Sequence, residues 1–143
     1  MDITGIGPII ALALSCIGSA IGCGIAGMAS HGVIVNTEEG HGKFIGMSAL
    51  PSSQAIYGFV LMMIMKGAID TNSLSAIDAI GIGFSIGLAI MISAIYQGVC
   101  AATGMRAVCK NPQIYGKCLA SLGIIESFSL FAFVFSLLLI RNT

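Results

Sequence analysis

The residue in this sequence best suited to chemistry is Glu126, a single carboxylate inside a long apolar stretch. Residues 118–140 contain no other Asp, Glu, Lys, Arg or His. Glu126 lies three residues from the middle of that stretch, about 4.5 Å along a helix axis. A carboxylate at such depth in a bilayer costs about 2.5–3.5 kcal/mol on insertion scales, and intramembrane ionisable groups usually mark ion pathways. We therefore predict a site that binds and releases a cation. A structural hydrogen bond to a neighbouring helix is the alternative.

Polar side chains in two other apolar stretches could complete this site. Four residues spaced i, i+3, i+4 and i+7 share one face of a helix. They are Leu50, Ser53, Gln54 and Tyr57. Gln97 is displaced from the middle of its own stretch toward the same membrane face as Glu126, so these groups can share a depth within about 7 Å. One carboxylate, two amide oxygens and a hydroxyl form a ligand set for a hard cation, by analogy with oxygen-ligated metals.

The elements that position these residues are four apolar runs, which the distribution of charge defines. The chain has 143 residues, of which 57% are hydrophobic and 8% charged, with zero net charge. Residues 3–30, 44–65, 79–105 and 118–140 each exceed the roughly 20 residues that a helix needs to span a bilayer. In lipid the backbone must satisfy its own hydrogen bonds, which favours helices. We predict an all-α membrane protein with four transmembrane helices. The composition excludes an ordinary soluble enzyme, a disordered tail and a nucleic-acid binder.

The chain also repeats itself with an offset of 72 to 77 residues. Ser19-Ala20-Ile21 recurs as Ser93-Ala94-Ile95, and Gly42-Lys43 recurs as Gly116-Lys117. The four helices are therefore predicted to form two tandem duplicated hairpins, residues 1–70 and 71–143, with Gln54 at the position equivalent to Glu126. The hairpins run parallel, unlike the inverted repeats of many transporters. Chance similarity between glycine-rich apolar segments is the alternative.

Small residues recur at four-residue spacing in the first and third helices. Gly18 and Gly22 form one such stripe, Gly83 and Gly87 another, and a third contains Ser85, Ala89, Ser93, Gln97 and Ala101. Small side chains let helices approach closely in a membrane. These helices therefore suit the inner wall of an oligomeric ring, and the bulkier second and fourth helices suit an outer wall. The same stripes would serve packing within one monomer.

The distribution of Lys and Arg predicts the orientation. Loops 31–43 and 106–117 carry four of these residues, whereas the second loop and the termini carry two. Positively charged loops tend to stay in the cytoplasm. We predict cytoplasmic first and third loops, with the termini on the opposite side. The five cysteines are odd in number and include no C-x-x-C pair, so we interpret them as small apolar packing residues.

Several of these motifs together resemble a known family. The segment Leu50-Pro51-Ser52-Ser53-Gln54-Ala55-Ile56-Tyr57-Gly58-Phe59 is similar to the even-helix motif of the proteolipid (K or c) subunit of V-type and archaeal-type rotary ATPases. Gln97-Gly98 and Glu126-Ser127, on a duplicated double hairpin, match it as well. The resemblance implies a ring of identical subunits that rotates against a stator, with one carboxylate per chain.

The resemblance also implies roles for individual residues. In sodium-coupled members a leucine carbonyl, a hydroxyl, two glutamines and a glutamate ligate the ion. These roles would fall on Leu50, Ser53, Gln54, Gln97 and Glu126. Tyr57 would hold the glutamate through its hydroxyl. The family often has Thr where this chain has Ser53, and Gly where it has Ser52, so Na⁺ and H⁺ both stay open as the transported ion.

Partners follow from the same resemblance. They are a stator membrane subunit with a basic residue, expected to be an arginine, together with central-stalk subunits and lipid, in a bacterial or archaeal plasma membrane. No G-x-x-x-x-G-K-[ST] loop occurs in the sequence, so ATP chemistry is expected on other subunits. No cofactor is expected.

Two other classes of protein have four helices. A small membrane cation or drug exporter also uses a membrane glutamate, but would more naturally place aromatic residues around it, and this chain has no Trp. A structural tetraspan protein would not need Gln54, Gln97 and Glu126 together.

Overall fold

The chain forms four long helical spans in a computed structural model that describes residues 3–141. The elements are α1 (Ile6–Ile34), α2 (His41–Ala49), α3 (Ser53–Asp70), α4 (Ala76–Lys110) and α5 (Tyr115–Arg141). Helices α2 and α3 together make the second span, His41–Asp70, and all four spans are long and apolar enough to cross a membrane. The described residues contain no strand. The predicted all-α membrane architecture is confirmed.

The spans are longer than the uncharged runs that predicted them. They contain 29, 30, 35 and 30 residues, because the helices continue through charged residues at their ends. Helix α4, for example, starts before Asp78 and ends at Lys110. Charged side chains at a helix end can reach the aqueous interface, so they do not stop a helix there. The extreme residues 1–2 and 142–143 of the two predicted hairpins lie outside the described residues.

The second span is interrupted at Pro51. Leu50–Ser52 form one turn of 3₁₀ helix between α2 and α3. Pro51 has no backbone N–H and cannot continue an α-helical ladder. The backbone N–H of Ser53 instead donates to the carbonyl of Leu50. This tighter turn starts the helix that carries the polar residues of the second span.

Helices α1 and α4 pack together along most of their length, and glycines allow the contact. A Cβ atom added to Gly98 would overlap the backbone of Gly22, and one added to Gly83 would overlap that of Gly7. Helix α3 packs against α1, α5 packs against α4, and α3 and α5 also meet. The close approach predicted for the first and third spans, which are α1 and α4, is therefore present. In the third predicted stripe Ser85 and Ala89 are exposed, whereas Ser93, Gln97 and Ala101 are buried, so this stripe packs within the chain over only part of its length.

The polar residues form a layer between two apolar clusters. One cluster contains Met47, Met105 and Leu122, and the other contains Leu61 and Met65. Gln54 and Gln97 lie between them and are fully buried. Buried amides are stable only when hydrogen-bonded, so the layer must satisfy its own polar groups.

Candidate ion-binding site

Glu126 is held by two hydroxyl groups from the neighbouring span. It lies two residues from the midpoint of α5 and is half-buried. Ser53 donates to Glu126 Oε1 from its Oγ at 2.6 Å, and the Tyr57 hydroxyl donates to the same oxygen at 3.1 Å. Both donors belong to α3. They can reach the same carboxylate because residues four apart share one helix face.

Gln97 connects three helices at the same depth. Its Nε2 donates to Glu126 Oε2 at 3.4 Å and to the backbone carbonyl of Leu122 at 3.2 Å. Its Oε1 accepts from Gln54 Nε2 at 2.8 Å. Helices α3, α4 and α5 are thus joined by side chains deep in the bundle, where Gln54 and Gln97 have no solvent exposure. The shared depth predicted for the three side chains agrees with these contacts.

The backbone carbonyl of Leu50 is linked to Glu126 and the two glutamines through the hydroxyl of Ser53. Ser53 Oγ lies 3.0 Å from the Leu50 oxygen and 3.2 Å from Gln54 Oε1. The 3₁₀ turn at Pro51 places these atoms together, since the Leu50 carbonyl precedes the start of α3 and points along it. All six residues singled out in the sequence therefore lie in one contiguous hydrogen-bonded group.

The electrostatic character of the group is that of a carboxylate surrounded by neutral dipoles. Within residues 3–141 Lys66 and Asp70 form an ion pair, and no basic side chain contacts Glu126. The oxygens of Leu50, Ser53, Gln54, Gln97 and Glu126 are hard donors of the kind that alkali and alkaline-earth cations prefer. Such a group can hold a small cation or a proton. The described residues contain no cluster of three His, Cys, Asp or Glu side chains for a transition metal.

Three supporting contacts were not anticipated from the sequence. Ser93 donates to the carbonyl of Ile125 at 2.9 Å, one residue before Glu126, and Gln97 uses the carbonyl of Leu122. Phe133 stacks on Tyr57 with ring centroids 5.8 Å apart. The repeat Ser93-Ala94-Ile95 marked Ser93 as part of the duplication, but nothing local indicated its partner. The contacts to Ile125 and Phe133 cross between helices, which spacing along one helix cannot reveal.

These features define a class of membrane protein: duplicated helical hairpins that carry one mid-membrane carboxylate held by neutral polar side chains. The sequence profile of the ATP synthase C-subunit family matches the chain twice, over residues 6–65 and 80–139. The chain belongs to this family. The two matches cover one hairpin each, in agreement with the predicted duplication.

Two relatives are similar over most of this chain. The A-type ATP synthase subunit K of Methanocaldococcus jannaschii is 32% identical over 135 residues, which are 94% of this chain and 60% of that protein. The V-type sodium ATPase subunit K of Enterococcus hirae is 31% identical over 131 residues, 90% of this chain and 83% of that protein. The chain thus spans less than two thirds of the first relative. Both relatives are subunits of rotary ATPases, which agrees with the resemblance to the K or c proteolipid.

Proposed function

We propose that the chain is the ion-carrying rotor subunit of a V/A-type ATPase or ATP synthase. Identical copies form a ring in the membrane, and each copy carries one Na⁺ or H⁺ on Glu126. The observation that supports this most directly is the carboxylate near the midpoint of α5, which accepts from Ser53 and Tyr57 and has no basic partner among residues 3–141. A buried charge without a counter-ion is costly, whereas a bound cation or proton neutralises it.

The transport step is a change of environment around one carboxylate. When the ring turns Glu126 toward lipid, the cation or proton must stay bound, because a bare charge is too costly there. When the ring brings Glu126 to the stator, a basic side chain on that subunit, expected to be an arginine, favours release into an access channel. Each charge that crosses 100 mV corresponds to about 2.3 kcal/mol. With one ion-carrying carboxylate per chain, Glu126, the ions carried per turn equal the number of copies.

The neutral residues around Glu126 have distinct roles in this proposal. Leu50, Ser53, Gln54 and Gln97 supply oxygens to a Na⁺ ion together with Glu126. Tyr57 keeps the carboxylate in position by donating to it. The Na⁺ form draws support from the oxygen-rich group and from the name of the E. hirae relative. The proton form requires only Glu126.

The remaining expectations concern the surroundings of the ring. We place loops 31–43 and 106–117 in the cytoplasm, where central-stalk subunits would contact them, and the termini on the opposite side. A bacterial or archaeal plasma membrane is the expected location. Nucleotide chemistry belongs to other subunits of the complex.

The direct test is Glu126→Gln in the assembled complex, with Asp70→Asn as the matched control, because Asp70 is exposed and lies at the membrane end opposite to loops 31–43 and 106–117. We expect Glu126→Gln to abolish ATP-driven ion transport into vesicles while the ring still assembles, and Asp70→Asn to transport normally. Retained transport in Glu126→Gln would refute the role of the carboxylate.

Carbodiimide labelling then identifies the ion. The reagent modifies a protonated carboxyl in an apolar site, so Glu126 should react and the Glu126→Gln variant should not. Protection by Na⁺ across a range of pH would support Na⁺ transport. Protection by high pH alone, without an effect of Na⁺, would support proton transport.

A further inference from the structure

Ser93 carries a buried hydroxyl beside the candidate ion site that the proposed ion binding does not use. It lies on α4, is 7% exposed and precedes Gln97 by about one helical turn. Its Oγ donates to the backbone carbonyl of Ile125, the residue before Glu126, at 2.9 Å. A hydroxyl in an apolar environment is costly without a hydrogen bond, so a motion that breaks this contact costs free energy.

Ser93 and Gln97 together hold the backbone of α5 at two points. Gln97 Nε2 donates to the carbonyl of Leu122 at 3.2 Å, and Ser93 donates to the carbonyl of Ile125. The two donors are four residues apart and the two acceptors three residues apart, so each pair shares one face of its helix. We call these two contacts the α4/α5 clamp. Two bonds about one turn apart oppose a rotation of α5 about its own axis, which a single bond would permit.

The contacts of Glu126 are sensitive to such a rotation. The end of a side chain lies about 5–6 Å from the axis of its helix, so a rotation of about 10° moves it by about 1 Å. The Ser53 hydroxyl lies 2.6 Å from Glu126 Oε1, and about 1 Å more would exceed the range of a hydrogen bond. The α4/α5 clamp therefore keeps the carboxylate within reach of its donor on α3.

The first hairpin has the same serine without its hydrogen bond. Ser19 is the counterpart of Ser93 in the repeated Ser-Ala-Ile segment. It is 6% exposed, and its hydroxyl has no hydrogen-bond partner within residues 3–141. Cys23 follows Ser19 by four residues, where Gln97 follows Ser93, and a thiol is only a weak donor. Contacts of the clamp type thus belong to the hairpin that carries the carboxylate.

We infer that Ser93 is a positioning residue of the ion site. With Gln97 it holds α5 in the rotation that keeps Glu126 against its hydroxyl donors on α3. The inference rests on the proposed function, in which the site stays closed around its cation or proton in lipid and opens at the stator. The open form differs by a rotation of α5, which also breaks the Ser93 contact. Ser93 therefore lowers the population of the open form without touching the ion.

The rate at which carbodiimide labels Glu126 measures the open form, because the reagent must reach the carboxyl. The measurement uses membranes that contain the whole complex, at fixed pH and without Na⁺. Loss of one neutral hydrogen bond changes an equilibrium constant by about 3- to 10-fold. Ser93→Ala should therefore raise the labelling rate by about 3- to 10-fold. This readout applies whether the site carries Na⁺ or H⁺.

Two further variants distinguish positioning from a general loss of packing. Ser19→Ala removes the buried counterpart, which has no partner in the part of the chain that the structure describes, and should label at the unmodified rate. Ser93→Thr keeps the hydroxyl and should also label at the unmodified rate. A groove of about 360 Å³ between α4 and α5, lined by Ser93, Ile125 and Phe128 among others, leaves room for the added methyl group. A rate for Ser93→Thr as high as that of Ser93→Ala would refute a role of the hydroxyl.

A double variant shows whether Ser93 acts through the contact between Ser53 and Glu126. Ser93→Ala should raise the labelling rate by a smaller factor in a Ser53→Ala background than it does alone, because the contact that Ser93 protects is then already lost. Such non-additivity indicates that the two changes act on the same interaction. An increase by the same factor in both backgrounds would refute positioning.

The outcomes separate this inference from the proposed function. If Glu126→Gln abolishes transport but Ser93→Ala labels no faster than Ser19→Ala, the positioning role is wrong and the rotor function stands. An equal increase in Ser19→Ala would also overturn the positioning role, since loss of any buried serine would then suffice. Transport that persists in Glu126→Gln would overturn the proposed function, and the inference with it.

Discussion

The most informative single change is Ser53→Ala, because Ser53 makes the shortest contact to Glu126. Its hydroxyl lies 2.6 Å from the carboxylate, 3.2 Å from Gln54 Oε1 and 3.0 Å from the Leu50 carbonyl. The substitution removes one oxygen atom and leaves the start of α3 unchanged. It therefore removes both a donor to the carboxylate and a ligand of the proposed Na⁺ ion.

The expected magnitude follows from the kind of bond that is lost. A hydrogen bond to a charged group contributes about 1.5–3 kcal/mol, and each 1.4 kcal/mol is tenfold in affinity, so Ser53→Ala should weaken Na⁺ binding by about 10- to 100-fold. Ser53→Thr is the matched control. It keeps the hydroxyl and adds a methyl group that restricts its rotamers, so its affinity should equal or exceed that of Ser53.

The assay is the Na⁺ concentration that halves carbodiimide labelling of Glu126 in membranes. Ser53→Ala should raise this concentration and Ser53→Thr should not. If Ser53→Ala stays within about threefold of the unmodified chain, which is less than 1 kcal/mol, the hydroxyl is not part of the ion site and the reasoning from this contact fails.

Three further changes test the surroundings of the site. Tyr57→Phe removes only the longer 3.1 Å hydrogen bond, so the Na⁺ concentration for half-protection should rise by about tenfold or less; a rise larger than that of Ser53→Ala would reverse the assigned roles. Gln97→Leu leaves the Gln54 amide without its buried partner and should destabilise the chain by about 1–3 kcal/mol. The ring should then dissociate at a lower temperature, and an unchanged dissociation temperature would contradict the importance of the polar layer. Gly98→Val places a side chain where the backbone of α1 lies and should reduce the amount of ring seen on a native gel. The control Gly24→Ala, which has open space around its Cβ, should assemble normally. Equal assembly of the two variants would refute close packing of α1 on α4.

The membrane architecture and the identity of the polar residues could be read from the chain itself. Runs of uncharged residues determine where helices cross a bilayer, since burying charge in lipid is costly. The four-residue spacing of Ser53 and Tyr57 placed them on one face before any contact was known. The ends of the spans were less predictable, because charged residues continue a helix into the interface, as at Asp78.

Contacts between helices needed the folded arrangement. Ser93 reaches the carbonyl of Ile125, and Phe133 stacks on Tyr57, although no spacing along one helix connects these residues. Ser85 shows a second limit: its stripe of small residues left both a ring contact and packing within one monomer open, and only the structure shows that Ser85 is exposed in this chain. Which of several small-residue faces is used depends on the rotation of each helix about its axis, and sequence periodicity leaves that rotation undetermined.

Local sequence was sufficient to establish that four helices span a membrane, that they form a duplicated pair of hairpins, and that one acid lies near the centre of the last span. Hydrophobic length and the cost of buried charge act along each segment separately, so no knowledge of packing is needed for these conclusions. The contacts of the Glu126 carboxylate, with hydroxyls from α3 and an amide from α4, became known only from the packed helices. That arrangement depends on how closely glycines let α1 and α4 approach, which is a property of packed surfaces rather than of any one segment.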